Sequence, residues 1–161
     1  MAFVVRPRLQ DGDNIVNVEE KLFPDYKAEP GQRALVLMHT VPYEGSVGLI
    51  NMLTTTRLAR KGFKTTMFLY GPGVLMGSSS RGFPGVGQEG FPGALAMNNQ
   101  LKVILKEGST IYACRFAMAM LYGHREEDMI EGIKCFSPLD VLDSLLDNWK
   151  AGALVLNTWT V

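Results

Sequence analysis

The stretch Ala34-Leu35-Val36-Leu37-Met38 decides the fold, because it places five apolar residues in a row between Arg33 and His39. A strand with one buried face alternates apolar and polar residues, whereas a strand buried on both faces needs an unbroken apolar run. Such strands are typical of parallel sheets that carry helices on each side. The run therefore predicts the first strand of an α/β domain.

Helical and strand patterns alternate along the chain after this strand. Apolar residues recur at spacings of three and four after residue 47, and Gly62 ends the helix that they predict. Residues 64–70 are β-branched and aromatic and predict a second strand. We further predict a helix ending at Gly108, a strand at 110–114, helix from about 116, a short strand at 133–136, a helix ending at Gly152 and a strand at 153–159. Alternation of this kind implies right-handed crossovers, so the predicted fold class is Rossmann-like α/β, an open, mainly parallel five-stranded sheet with helices on both faces.

The length of 161 residues predicts one domain. Residues 1–32 contain three prolines among acidic side chains and are interpreted as an extension packed on the domain or on a neighbouring subunit. Residues 33–161 form the domain. Within it, residues 71–93 contain eight glycines, three prolines and three consecutive serines, and a loop of this length is usually functional or disordered.

Composition excludes several classes of protein. Sixteen basic and sixteen acidic residues leave no net charge, which disfavours nucleic acid and anionic membrane surfaces as partners. Two cysteines without a CxxC motif make neither a disulfide framework nor a zinc cluster, and they favour a reducing compartment. Since no apolar stretch is long enough to cross a membrane, we expect a cytoplasmic protein.

Residues 85–90 match the pattern GxGxxG, which in dinucleotide-binding proteins leaves a strand directly and opens a helix. Here the preceding strand ends 15 residues upstream, and Phe-Pro-Gly intervenes before the next helix. We therefore predict no nucleotide cofactor, and four scattered cysteines and histidines predict no metal site. The motif Gly-Phe-Pro-Gly occurs twice, at 82–85 and 90–93. We expect its two phenylalanines to cover a pocket or pack on a neighbouring subunit rather than remain exposed to solvent.

The carboxyl ends of parallel strands form the edge where ligands bind in such sheets. His39 and Cys114 each close a predicted strand and are the candidate catalytic residues. A thiol between a strand end and a helix start lies near unpaired N–H groups that favour the thiolate, so Cys114 is a candidate nucleophile. His39 is a candidate base. The alternatives are an inert, buried Cys114 and a His39 satisfied by the backbone; for Cys135 the inert interpretation is preferred.

Five further residues are candidate binding residues. Tyr43 and Glu44 follow the first strand, and Arg115 adds a cation beside Cys114. Arg81 holds an anion or merely solvates its loop, and His124 binds ligand or is a solvated residue at a helix start.

Several motifs together resemble the DsrE/DsrF-like family of small α/β proteins over about residues 33–159. They are Gly73-Val74 after the second strand, Lys-Glu-Gly at 106–108, a strand ending in Cys114, and then Gly123, Asp128 and Gly132. The N-terminal extension and the Gly-Phe-Pro-Gly loop look like the nitrogen-starvation-response branch of that family, whose genes accompany nitrilase-type genes for nitrile or cyanide nitrogen use.

The resemblance implies a homo-oligomer, a trimer or a hexamer of paired trimers, and in sulfur-relay members a persulfide on the cysteine that matches Cys114. We therefore expect a protein of the nitrogen-starvation response that binds a small molecule or a sulfur species at a strand-end pocket. The ligand is unknown. The alternatives are a non-catalytic structural or regulatory oligomer and an accessory enzyme of nitrile or cyanide use, so the sequence leaves open whether the protein is an enzyme.

Overall fold

The computed structural model describes residues 22–42, 47–79 and 93–159, without the side chains of residues 93–96 and 159. In this part of the chain, five strands and three α-helices alternate as the sequence predicts. The strands are β1 (Arg33–His39), β2 (Lys64–Leu69), β3 (Thr110–Cys114), β4 (Lys134–Phe136) and β5 (Leu154–Trp159), and the helices are α1 (Val47–Arg60), α2 (Gly93–Lys106) and α3 (Asp140–Lys150).

The five strands form one parallel sheet in the order β4-β3-β2-β1-β5. The predicted α/β class and the parallel five-stranded sheet are thus confirmed. β1 lies between β2 and β5, and all five residues of its apolar run are buried. Burial on both faces of the sheet explains why this strand has no polar residue between Arg33 and His39.

The strand order places the helices on two faces. From β1 to β4 the chain advances in one direction, and α3 then carries it back across the sheet to β5. With right-handed crossovers, α1 and α2 share one face and α3 covers the other. Gln100 of α2 accordingly donates to Thr56 of α1 (2.6 Å), while Asp147 of α3 pairs with Arg33 (2.8 Å).

The first part of the long loop predicted for residues 71–93 is helical. Gly71–Gly77 forms a 3-10 helix with a proline in its first turn, so the prediction is wrong for these seven residues. The physical reason is packing, since Gly73 lies directly against the carbonyl oxygen of Met38 and Asn98 donates to the carbonyl oxygens of Met76 and Ser78. Residues 80–92, with most of the Gly-Phe-Pro-Gly duplication, lie outside the described residues.

Residues 22–32 contact the end of α1. Tyr26 stacks on Phe63 with ring centroids 6.0 Å apart, and the Ala28 amide donates to the carbonyl oxygen of Lys61 (2.8 Å). The ammonium group of Lys61 lies 3.3 Å from the Asp25 carboxylate. None of the helices described is long and apolar enough to span a bilayer.

The close approach of Gly73 to β1 generates a stability prediction. A Cβ atom at this position would lie under 3.0 Å from Met38 backbone, which cannot move without disturbing β1. We expect Gly73→Ala to lower the free energy of unfolding by about 3 kcal/mol, measured by urea denaturation.

Gly48→Ala is the matched control. Its Cβ would meet the flexible end of Met76 at 2.9 Å and that of Met97 at an ordinary 3.8 Å, and alanine favours the α1 helix by about 1 kcal/mol. Equal destabilisation by both substitutions would contradict the packing argument.

Candidate functional site

Three side chains at the carboxyl edge of the sheet lie level with one another. Met38 pairs with Leu69 and Leu69 pairs with Ala113, so the next residue on each strand places His39, Tyr70 and Cys114 in one row. Residues paired across neighbouring strands direct their side chains to the same face. The sequence prediction that His39 and Cys114 end their strands at one edge agrees with this register.

His39 packs against Tyr70. Their ring centroids are 4.9 Å apart with the planes inclined by 57°. The next residue, Gly71, has a φ angle of +51°, and a side chain there would collide with the imidazole. A glycine is therefore needed both for the backbone turn and for the position of His39.

Tyr70 leans from β2 across β1 toward β5. Its hydroxyl group donates to the side-chain oxygen of Asn157 at 3.1 Å, and partial burial raises the pKa of the phenol. The backbone amide of His39 also approaches the Thr158 hydroxyl oxygen, at 3.4 Å. These contacts link His39 to the β5 side of the edge. Tyr70 is not among the binding residues predicted from the sequence.

Cys114 lies on the other side of β2. Neighbouring strands are about 4.8 Å apart, so the backbones of His39 and Cys114 are separated by about 10 Å. Proton transfer needs heavy atoms at about 2.6–3.2 Å, directly or through one water molecule. The two side chains share an edge and a face of the sheet, and each must extend toward the other for His39 to act as a base on the thiol.

The Cys114 thiol is sheltered. The residue is 5% exposed and belongs to the main hydrophobic core, at the point where β3 passes into a helical turn. This helix was predicted from about residue 116, but its central part, Ala117–Leu121, is a π-helix, a rare form that is frequent at functional sites. Phe116, just before this π-helix, and Met120 and Leu121 within it are exposed, which gives the edge beside Cys114 an apolar rim.

Arg115 points into a different cluster. Its guanidinium group forms an ion pair with Glu126 (2.5 Å), which raises the pKa of Arg115 and lowers that of Glu126. The nearby thiol in this cluster is Cys135, whose pKa responds to the charges of both Glu126 and Arg115. The predicted pairing of the Arg115 cation with Cys114 is therefore replaced by an Arg115–Glu126–Cys135 group.

The two cysteines lie on opposite faces of the sheet. Cys135 pairs with Ala113, and Cys114 pairs with Phe136, so the two thiols alternate across β3 and β4. Both are free. Burial raises the pKa of Cys135, and the Glu126 carboxylate raises it further, while its sulfur lies 3.8 Å from that of Met118.

The remaining candidates fall in two groups. His124 is buried, so its interpretation as a solvated residue at a helix start is wrong; its amide donates to the Met118 carbonyl oxygen (2.9 Å) instead. Tyr43, Glu44 and Arg81 lie outside the described residues. Among the residues that are described, no three His, Cys, Asp or Glu side chains converge as metal ligands.

A pocket of about 460 Å³ lies elsewhere, between α2 and the segment before β4. It is lined by Ser79, Lys102, Met129, Ile130 and Glu131. None of these residues was a candidate in the sequence analysis, since only folding brings Lys102 next to Glu131. The pocket does not include Cys114 or His39.

Comparison with solved structures supports the fold. The crystal structure of the ychN protein from E. coli, a protein with the DsrE/DsrF-like fold, superimposes with a TM-score of 0.61 at 17% sequence identity, over 79% of this chain and 99% of that chain. The chain has a DsrE-like, Rossmann-like α/β fold. No protein-family model and no curated protein matches the sequence.

The Arg115–Glu126–Cys135 group generates a pH prediction. Because the Glu126 carboxylate opposes the Cys135 thiolate, Glu126→Gln should lower the pKa of Cys135 and speed its alkylation below that pKa. The rate of iodoacetamide labelling against pH, in a Cys114→Ser background, measures this effect.

Arg115→Gln is the opposite control. Its guanidinium favours the thiolate, so its loss should raise the pKa of Cys135 and slow labelling. Shifts of the same sign in both variants would contradict the electrostatic interpretation.

Proposed function

We propose that this protein binds a sulfur species or a small molecule at the carboxyl edge of its sheet, with Cys114 as the nucleophile. The observation that carries the proposal is the row of His39, Tyr70 and Cys114, whose strands end at one level and on one face. The row combines a thiol, an imidazole and a phenol, which together supply a nucleophile and two groups able to exchange protons.

The shelter of Cys114 suits a sulfur carrier. A persulfide is a reactive group that free thiols attack, so a position that is only 5% exposed protects it between acceptance and transfer. The apolar rim formed by Phe116, Met120 and Leu121 offers a surface on which the donor or the acceptor of the sulfur atom binds.

The proposed reaction is thiol exchange at the sulfane sulfur. The Cys114 thiolate attacks the outer sulfur of a low-molecular-weight persulfide, a new S–S bond forms, the donor's S–S bond breaks, and the donor leaves as its thiolate. A second thiol then attacks the terminal sulfur of the Cys114 persulfide and restores the Cys114 thiolate. His39 takes the proton of the thiol in the first step.

We also propose that the chain forms a homo-oligomer, a trimer or a hexamer. Large exposed apolar side chains on α3 and β5 support this. A non-catalytic structural or regulatory oligomer is the second candidate function, and the same surface favours it. The roles in nitrogen starvation and in nitrile or cyanide use rest on the resemblance of the N-terminal extension and residues 82–93, and they stay predictions.

Exposure of the native protein to a small-molecule persulfide tests the function. We expect a mass increase of about 32 Da on the peptide that contains Cys114, and its loss after treatment with dithiothreitol. Cys114→Ser should abolish the adduct, and Cys135→Ser should retain it. An adduct on Cys135 alone, or labelling of Cys114 only after unfolding, would remove Cys114 from the mechanism.

The role of His39 requires its own variant. His39→Phe keeps a ring against Tyr70 but removes both nitrogens, so we expect a fold that is retained and an adduct on Cys114 that forms about 100-fold more slowly at pH 7. The rate should recover as pH rises, because hydroxide then replaces the missing base. A His39→Phe profile that matches the wild-type profile at every pH would show that His39 takes no proton.

A further inference from the structure

Helix α3 carries an apolar stripe on a side that the described residues leave largely exposed. Leu139, just before the helix, and Leu142, Leu146 and Trp149 within it are between 44% and 80% exposed. Their spacing of three, four and three residues is that of the a and d positions along a helix that packs against another helix. The stripe is therefore arranged for a helical partner.

The direction of the stripe follows from the helix geometry. Successive residues turn by about 100°, and the side of α3 that faces the sheet carries Val141, Leu145 and Asn148. The centre of the stripe lies about a third of a turn from this side. Because the crossover from β4 to β5 is right-handed, this rotation directs the stripe toward β5 and away from β4.

β5 is an edge strand without the usual protection. Exposed edges are normally short or carry lysine or proline, which prevents other strands from pairing with them. β4, at the opposite edge, has three residues and includes Lys134. β5 has six residues, LVLNTW, with neither charge nor proline, and both Leu154 and Val155 are exposed. Its outer side is suited to pairing with another strand.

We propose that a second copy of this chain pairs with this side of the molecule about a two-fold axis, with α3 against α3 and β5 beside β5. A two-fold axis perpendicular to the sheet makes both pairs antiparallel, so one symmetric contact covers both features. The proposal rests on the homo-oligomer proposed above and selects its hexameric form, because a two-fold contact joins two trimers and a single trimer contains none. The two parallel sheets would join into one sheet of ten strands.

Charge supports the antiparallel arrangement. Asp143 and Lys150 lie on the same flank of the stripe, two turns apart. In an antiparallel pair each aspartate approaches the lysine of the second copy, whereas a parallel pair would bring like charges together. The Asp147 carboxylate is already paired with Arg33.

Leu146→Asp tests the contact in the full chain. It places a charge in the centre of the stripe, so sedimentation equilibrium should show half the wild-type mass, a hexamer becoming a trimer. Leu121→Asp is the control and should keep the wild-type mass, because Leu121 is also an exposed leucine, 57% against 44% for Leu146, and lies outside α3 and β5. Circular dichroism establishes that both variants are folded.

Charge reversal gives a second measurement that does not threaten folding. Asp143→Lys alone should weaken the oligomer by about tenfold in its dissociation constant at low salt, and adding Lys150→Asp should restore it. An oligomer whose mass and dissociation constant are unchanged in Leu146→Asp would overturn this contact while the proposed oligomer stands. A wild-type chain that sediments as a monomer, with the stripe covered by its own residues 1–21 or by nothing, would overturn both.

Discussion

The burial of β1 on both faces is the constraint on which the rest of the structure depends. A strand in the middle of a parallel sheet has no side from which water can solvate a polar group, so residues 34–38 are all apolar. Both faces must then be covered by helices, and these helices must be connected by crossovers. The crossovers bring the carboxyl ends of all five strands to one edge, where His39, Tyr70 and Cys114 lie level with one another.

Along the same edge, the two faces of the sheet place the two cysteines in different surroundings. Cys114 shares its face with His39 and Tyr70, whereas Cys135, one strand farther and one residue out of phase, faces the other side with Glu126. A shift of a single residue in the register of β4 would turn Cys135 to the face that carries Cys114. The two thiols thus differ in their surroundings although they lie on neighbouring strands.

The fold could be predicted from the sequence because its signals are local. The apolar run of β1, the three-four spacing in α1 and the glycines at 62, 108 and 152 each reflect the structure of a few neighbouring residues. The 3-10 helix at Gly71–Gly77 was missed because its cause is tertiary. Its glycines are typical of loops, yet Gly73 allows the backbone of this 3-10 helix to contact the backbone of β1.

The candidate site could likewise be predicted only in part from the sequence. That His39 and Cys114 end their strands follows from sequence, since strand ends can be recognised from residues nearby. That Tyr70 leans toward Asn157, and that Arg115 pairs with Glu126 rather than serving Cys114, depends on side-chain directions that no local pattern encodes. The burial of His124 is of the same kind.

The sequence by itself determined the class of the fold, the position of the strands and the residue types available at their ends, because hydrophobic periodicity is a property of each segment alone. Only the tertiary structure decided the strand order, the faces on which the cysteines lie, the ion pair that engages Arg115 and the apolar side of α3 that the described residues leave exposed. Each of these depends on which segments become neighbours, and free energies of packing between distant residues leave no periodic trace in the chain.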